Sequence, residues 1–192
     1  MSLPLFPLHQ LLFPGCMLDL QLFEPRYLDM LKTCLKTDTG FGVVGILHGQ
    51  EVGLAASHCT PLGCEALIRD WHLQKNGLLG IRVQAVRRFR VLSSWVQPDQ
   101  LLQAEVAWLP ERPDSALTQA EEDLLGLWQA LSRHPQAATL ALTPPNTQHQ
   151  LLDQLAYALP LPMEHKQQLL ALESVQERLS LMRHYLSLLQ NQ

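Results

Sequence analysis

The chain has 192 residues, 47% of them apolar and 17% charged, which is enough apolar surface for a packed core and excludes a disordered polymer. Aromatics make up only 6%, so Leu, Val, Ala and Ile must fill that core. Fourteen basic against 18 acidic residues give a net charge of −4, which counts against general nucleic-acid affinity because no positive footprint displaces counterions.

The opening segment is apolar, but no basic residue precedes Arg26, and Pro4, Pro7 and Pro14 interrupt it. That pattern argues against a secretory signal. No uninterrupted apolar stretch of about 18 residues occurs, so no membrane span is expected and the chain reads as cytoplasmic. Cys16, Cys34, Cys59 and Cys64 form no CxxC pair and read as small apolar residues of a reducing compartment.

Strands are expected near 3–8, 16–22, 41–48, 62–72, 78–92 and 101–109. Between the second and third, Pro25 opens a helix with Tyr27, Leu31, Cys34 and Leu35 along one stripe, Arg26, Asp29, Lys32 and Lys36 facing away, and Gly40 beyond its end. Segment 41–47 is apolar on both faces and predicts a covered central strand. In the fifth strand Leu79, Ile81, Val83 and Ala85 alternate with Arg82 and Gln84. Phe89 and Val91 keep that parity with Arg88 and Arg90 opposite, and Arg87 breaks it, which predicts a bulge or bend. Asn76-Gly77 and Pro98-Asp99 predict the turns on either side.

Residues 1–112 hold nine of the ten glycines, whereas 113–192 are rich in Leu, Ala, Gln and Glu at helical spacing, so the chain divides there into a β-rich domain and an α-helical bundle. Thr118 with Glu121, and Ser174 with Glu177, fit capping boxes, and Asn146 or Thr147 can cap a further helix. Strands with a single early helix fit a curled sheet or partly open barrel rather than a βαβ repeat.

Catalytic motifs are not found. The chain has no Gly-Lys pair for a phosphate loop, no GxGxxG and no GxSxG elbow. Its lysines (Lys32, Lys36, Lys75, Lys166) occupy polar surroundings that do not lower an ammonium pKa, which leaves no Ser–Lys couple. His48, His58, Cys59, Cys64 and His72 lie near one another in sequence, but their loose spacing does not point to zinc. No cofactor is expected. Arg82, Arg87, Arg88 and Arg90 read as a solvated sheet face with Gln103 or Glu105 as cross-strand partners, because no aromatic interleaves to stack bases. The apolar turn Leu11-Leu12-Phe13-Pro14-Gly15 and the Leu22-Phe23 pair are either core plugs or a docking surface for an extended apolar segment. Glu24 and Arg26 are expected to fix the helix start or pair with sheet groups.

The strings Leu3-Pro4-Leu5-Phe6-Pro7-Leu8, Leu12-Phe13-Pro14-Gly15 and Leu22-Phe23-Glu24-Pro25-Arg26-Tyr27 resemble the N-terminal, substrate-binding domain of Lon proteases. So do Asp70-Trp71 through Asn76-Gly77-Leu78-Leu79-Gly80-Ile81 and Arg88-Phe89-Arg90-Val91. The block Leu159-Pro160-Leu161-Pro162-Met163-Glu164-His165-Lys166, with Glu177-Arg178-Leu179 after it, resembles the helical tail of stand-alone bacterial proteins of this kind. The resemblance implies an α+β fold, a PUA-like β pseudo-barrel followed by a helical bundle. It also implies recognition of unfolded or partly folded polypeptides, with a protease as a further candidate partner, and no ATPase or peptidase chemistry in this chain. An RNA- or small-molecule-binding role, as in other PUA-like folds, is the alternative. From the residues, the expected peptide site comprises Leu12, Phe13, Phe23 and Tyr27, with Glu24 and Arg26 structural.

Overall fold

The computed structural model describes residues 1–56, 58–75 and 77–190. They form two compact units, Met1–Leu109 and Pro110–Gln192.

The first unit contains β1 (Ser2–Leu8), β2 (Met17–Leu22), α1 (Pro25–Thr37), β3 (Phe41–His48), β4 (His58–Leu73), β5 (Leu79–Val96) and β6 (Leu102–Trp108). The sheet order is β2-β5-β4-β3-β1-β6, and β6 pairs again with β5. That second pairing closes a five-strand ring and leaves β2 outside it. Only β1 and β3 run parallel, and β2 and α1 form the crossover that a parallel pair requires. One edge of β5 follows β4, while the other serves β2 over Leu79–Gln84 and then β6 over Phe89–Val96. The change of partner coincides with a register shift in which Val86 and Arg87 oppose the single residue Glu65. An extra residue on one strand bends it and increases its twist, and this bend lets β5 leave β2 and close the ring.

The ring's core comprises Leu3, Leu5, Val44, Phe89, Leu102, Ala104 and Val106. Gly42 and Gly63 make room for Phe89, because a Cβ on either would stand 2.7 Å from its ring. At Gly63 that atom would also lie 2.3 Å from the Val43 carbonyl oxygen. A second aromatic group, Phe6 with Tyr27 at 4.2 Å and Phe41 at 5.8 Å between ring centroids, ties α1 to β1 and β3.

Three details differ from the sequence expectation. In α1, Arg26 is buried and Leu35 is exposed, because Met30 completes the inward stripe in place of Leu35. Arg88 is buried rather than solvated. Two of the β5 arginines, Arg82 and Arg87, pair elsewhere than with Gln103 or Glu105. Arg82 makes paired 2.7 Å bonds to Asp19, whereas Arg87 donates to Glu65 at 2.8 Å and lies 4.0 Å over the Trp108 ring. Asn76 of the Asn76-Gly77 turn lies outside the described residues; Gly77 has φ +81°, and Gln74 N–H donates to Leu78 C=O.

The second unit contains α2 (Glu122–Ser132), α3 (Gln148–Ala158), α4 (Met163–Ala171) and α5 (Val175–Gln190), with 3-10 turns at Gln119–Glu121 and Pro135–Leu140. The reciprocal Thr118–Glu121 capping box is present, and the Thr147 hydroxyl caps α3 by accepting from Gln150 N–H. At Ser174 the hydroxyl accepts from Glu177 N–H at 3.4 Å. The helix α3 packs against α2, α4 and α5 and is buried almost all round. Its buried polar side chains are matched in turn. Gln148 bonds Glu121, Gln154 accepts from Trp128 Nε1–H, and His149 and Asp153 meet Arg178.

Candidate functional site

Of the expected site residues, Leu12 and Phe13 lie between β1 and β2, and Phe23 and Tyr27 flank the join of β2 to α1. Phe23 is half exposed (50%), whereas Leu12 and Phe13 are wholly buried and Tyr27 nearly so. Leu11, Leu12 and Phe13 therefore act as core plugs between β1 and β2, with the turn itself at Pro14-Gly15, where Gly15 has φ +80°. As they stand, Leu12 and Phe13 offer no surface to a peptide. The phenol of Tyr27 is pushed up to about 12, chiefly by burial, so it stays protonated at any ordinary pH.

Glu24 occupies the N-cap position of α1 without capping through its side chain. Its carboxylate instead accepts from Arg26 at 2.9 Å and from Gly53 N–H at 3.3 Å. The Arg26 guanidinium also donates to the Gln100 carbonyl at 2.9 Å and lies 4.6 Å over the Tyr27 ring. This pair, with Arg26 buried and Glu24 partly exposed, thus links the start of α1 to the loop at Gly53 and to the β5–β6 turn.

Beside Phe23 is a cleft of about 220 Å³ whose apolar lining comprises Phe6, Leu8, Leu20, Phe23, Tyr27 and Val52. Asp19 and Gln21 line it together with Leu20. Consecutive strand residues point to opposite faces of a sheet, so residues of both parities share a cleft only when it runs along the strand's edge. This is the outer edge of β2, which stands at the end of the strand order and pairs with β5 on its other side. Asp19 is held below the usual carboxylate range by its hydrogen bonds from Arg82. The opposite wall comes from the segment after β3, where Glu51 accepts from His9 N–H at 2.6 Å.

Sequence reasoning did not find this wall, because Glu51 and Val52 belong to an irregular segment without periodicity. It also missed a buried charge cluster in the second unit, where Arg178, Arg112, Asp153 and His149 meet. Arg178 shares a helical stripe with Met182 and Tyr185, and a charge on an apolar stripe was the available signal. Among the described residues, no group of three His, Cys, Asp or Glu converges to hold a metal ion. Cys59 borders a separate cleft of about 540 Å³ with Leu54, Trp95 and Val96, and burial pushes its thiol up to about 11, which makes it a poor nucleophile. No helix among the described residues is long and apolar enough to cross a membrane.

Residues 2–187 match the substrate-binding domain of ATP-dependent protease La (LON). The chain belongs to this family. Its six-strand sheet, closed over five strands and followed by helices, is the α+β, PUA-like Lon N-domain fold. It is similar to the crystal structure of a Lon N-terminal domain protein from Xanthomonas campestris, with 31% identity, a TM-score of 0.76 and coverage of 96% of this chain and 98% of that one. The N-terminal domain of the Mycobacterium avium complex Lon protease is alike in fold, with a TM-score of 0.63 at 19% identity over 97% of this chain and 98% of that one. Protein cereblon of Gallus gallus is 33% identical over 104 residues, which is 53% of this chain and 22% of cereblon. The chain thus spans about a fifth of that relative. Within these 192 residues lies the Lon N-terminal domain, and no ATPase or protease domain accompanies it.

Proposed function

We propose that this domain is a non-catalytic polypeptide-binding or adaptor module that takes an extended segment along the outer edge of β2. The carrying observation is the apolar cleft running along that edge. A segment adding to β2 forms main-chain hydrogen bonds, and one large side chain enters the cleft beside Phe23. The volume supports this over a small-molecule site, since 220 Å³ is below the roughly 300–1,000 Å³ typical of drug-sized ligands. The net charge of −4 disfavours the RNA reading. Unfolded or partly folded chains are the natural partners of such an edge, and a protease that receives them is a further one. A cytoplasmic setting suits this role.

Affinity from such a site is weak. Burying a Leu- or Phe-sized side chain contributes about 1.5–3 kcal/mol, and association costs offset several such anchors. Since half of Phe23 is already covered, capping the rest contributes about 1 kcal/mol, so Phe23→Ser should weaken binding of an unstructured apolar peptide about fivefold. Fluorescence anisotropy with a labelled peptide measures this. Unchanged affinity in the variant would refute the site.

A further inference from the structure

The cleft along β2 has an electrostatic character that its apolar floor does not require. Asp19, Glu24 and Glu51 line it, and neither Lys nor Arg does. Two of the three are ion-paired, Asp19 with Arg82 and Glu24 with Arg26, so among the described residues Glu51 is the lining carboxylate with no salt bridge, and it carries the excess negative charge of the cleft. Arg26 is buried behind Glu24. Arg82 makes a two-point ion pair with Asp19 and stands opposite Asp70 in the β4–β5 register. Glu51 is engaged by a backbone N–H, which leaves its charge uncompensated by that contact.

We propose that the segment this edge accepts is an apolar side chain flanked by lysine or arginine. This rests on the edge-binding reading above and specifies its substrate class. In an addition to β2, residues flanking the anchor pass the lining carboxylates, Asp19, already paired with Arg82, and Glu51 on the wall that faces the strand. Cationic flanks there meet carboxylates, and acidic flanks meet like charge. The recognition is a rim effect. It sets preference and salt dependence, while the apolar anchor supplies the grip.

The test uses three labelled, Ser-rich peptides with one Leu-Phe anchor, flanked by Lys, by Ser or by Glu. Anisotropy is read at low salt and at high salt. The Lys form should bind about threefold more tightly than the Ser form and the Glu form about threefold more weakly, and the three should converge in high salt as screening shortens the reach of exposed charges. Glu51→Gln should reduce the Lys advantage. Equal affinity of the Lys and Glu forms at low salt would overturn the charge preference and leave edge binding standing. So would a Lys advantage untouched by Glu51→Gln. No binding of any of the three would overturn both.

Discussion

The buried cluster of the second unit permits a prediction of magnitude and order. The Asp153 carboxylate accepts from Arg178 Nη2 at 2.5 Å and from Arg112 Nη1 at 3.2 Å. These side chains are 0% and 5% exposed. Both guanidiniums also serve carbonyls at the C-terminal end of α4. Arg178 Nε donates to Leu169 at 3.1 Å, and Arg112 donates to Leu170 at 2.8 Å and Leu172 at 2.9 Å. Cations suit that end of a helix. Asp153→Asn keeps the shape and opens no cavity but leaves two buried guanidiniums sharing a neutral amide. Breaking a buried ion pair in this way costs about 3–5 kcal/mol. Arg178→Met removes one cation and leaves a neutral Arg112–Asp153 pair. Its main cost is the His149 Nδ1 acceptor, which loses its 2.7 Å contact with Arg178, and leaving such a buried group unsatisfied costs about 1–3 kcal/mol. Urea unfolding followed by circular dichroism at 222 nm, which reports the helices, should therefore rank Asp153→Asn as the more damaging. An Arg178→Met variant that unfolds more easily than Asp153→Asn would refute this reasoning.

His149 has its pKa lowered from 6.5, first by burial and then by the charges of Arg178 and Arg112. Below pH 6.5 the unfolded chain takes up the proton and the folded one resists it, so this contribution is intact above pH 6.5 and lost as pH falls toward the depressed folded value. The urea midpoint should drop between pH 7.5 and 5.5, and His149→Gln should flatten that dependence; an equal drop in the variant would remove His149 as its source. Phe23→Ser, in contrast, should cost only about 1 kcal/mol in urea unfolding, the worth of the half of the ring that the fold already covers. A larger loss would mean that Phe23 holds the fold rather than a ligand.

Much of the architecture was legible because its signals are local. Segment 41–47, apolar on both faces, lies in β3, which is buried from Phe41 to Ile46. The misplaced Arg87 marked the bulge that lets β5 change partners. Pro98-Asp99 sits in the turn where Gln97 N–H donates to Leu101 C=O. What stayed hidden depends on contacts distant in sequence. The alternation in β5 shows that Arg88 opposes Phe89, but no local pattern shows that this side is covered as well. The pairing of Asp19 with Arg82 spans 63 residues, and the choice of Asp19 over Glu105 follows from strand order, which periodicity does not encode. At the candidate site, the apolar string before Pro25 was visible, yet its residues separate on folding. Leu12 and Phe13 enter the core, whereas Phe23 stays half exposed just before the Glu24–Arg26 pair at the helix start.

The central claim is that an extended polypeptide seats on the outer edge of β2. Titrating an unstructured, Lys-flanked apolar peptide into ¹⁵N-labelled protein and following the backbone amide shifts tests it most directly. The account predicts progressive shifts concentrated at residues 19–23 and 51–53. Shifts confined to the helical unit, for instance along the surface of Leu172, Leu181 and His184, or none at millimolar peptide, would contradict it.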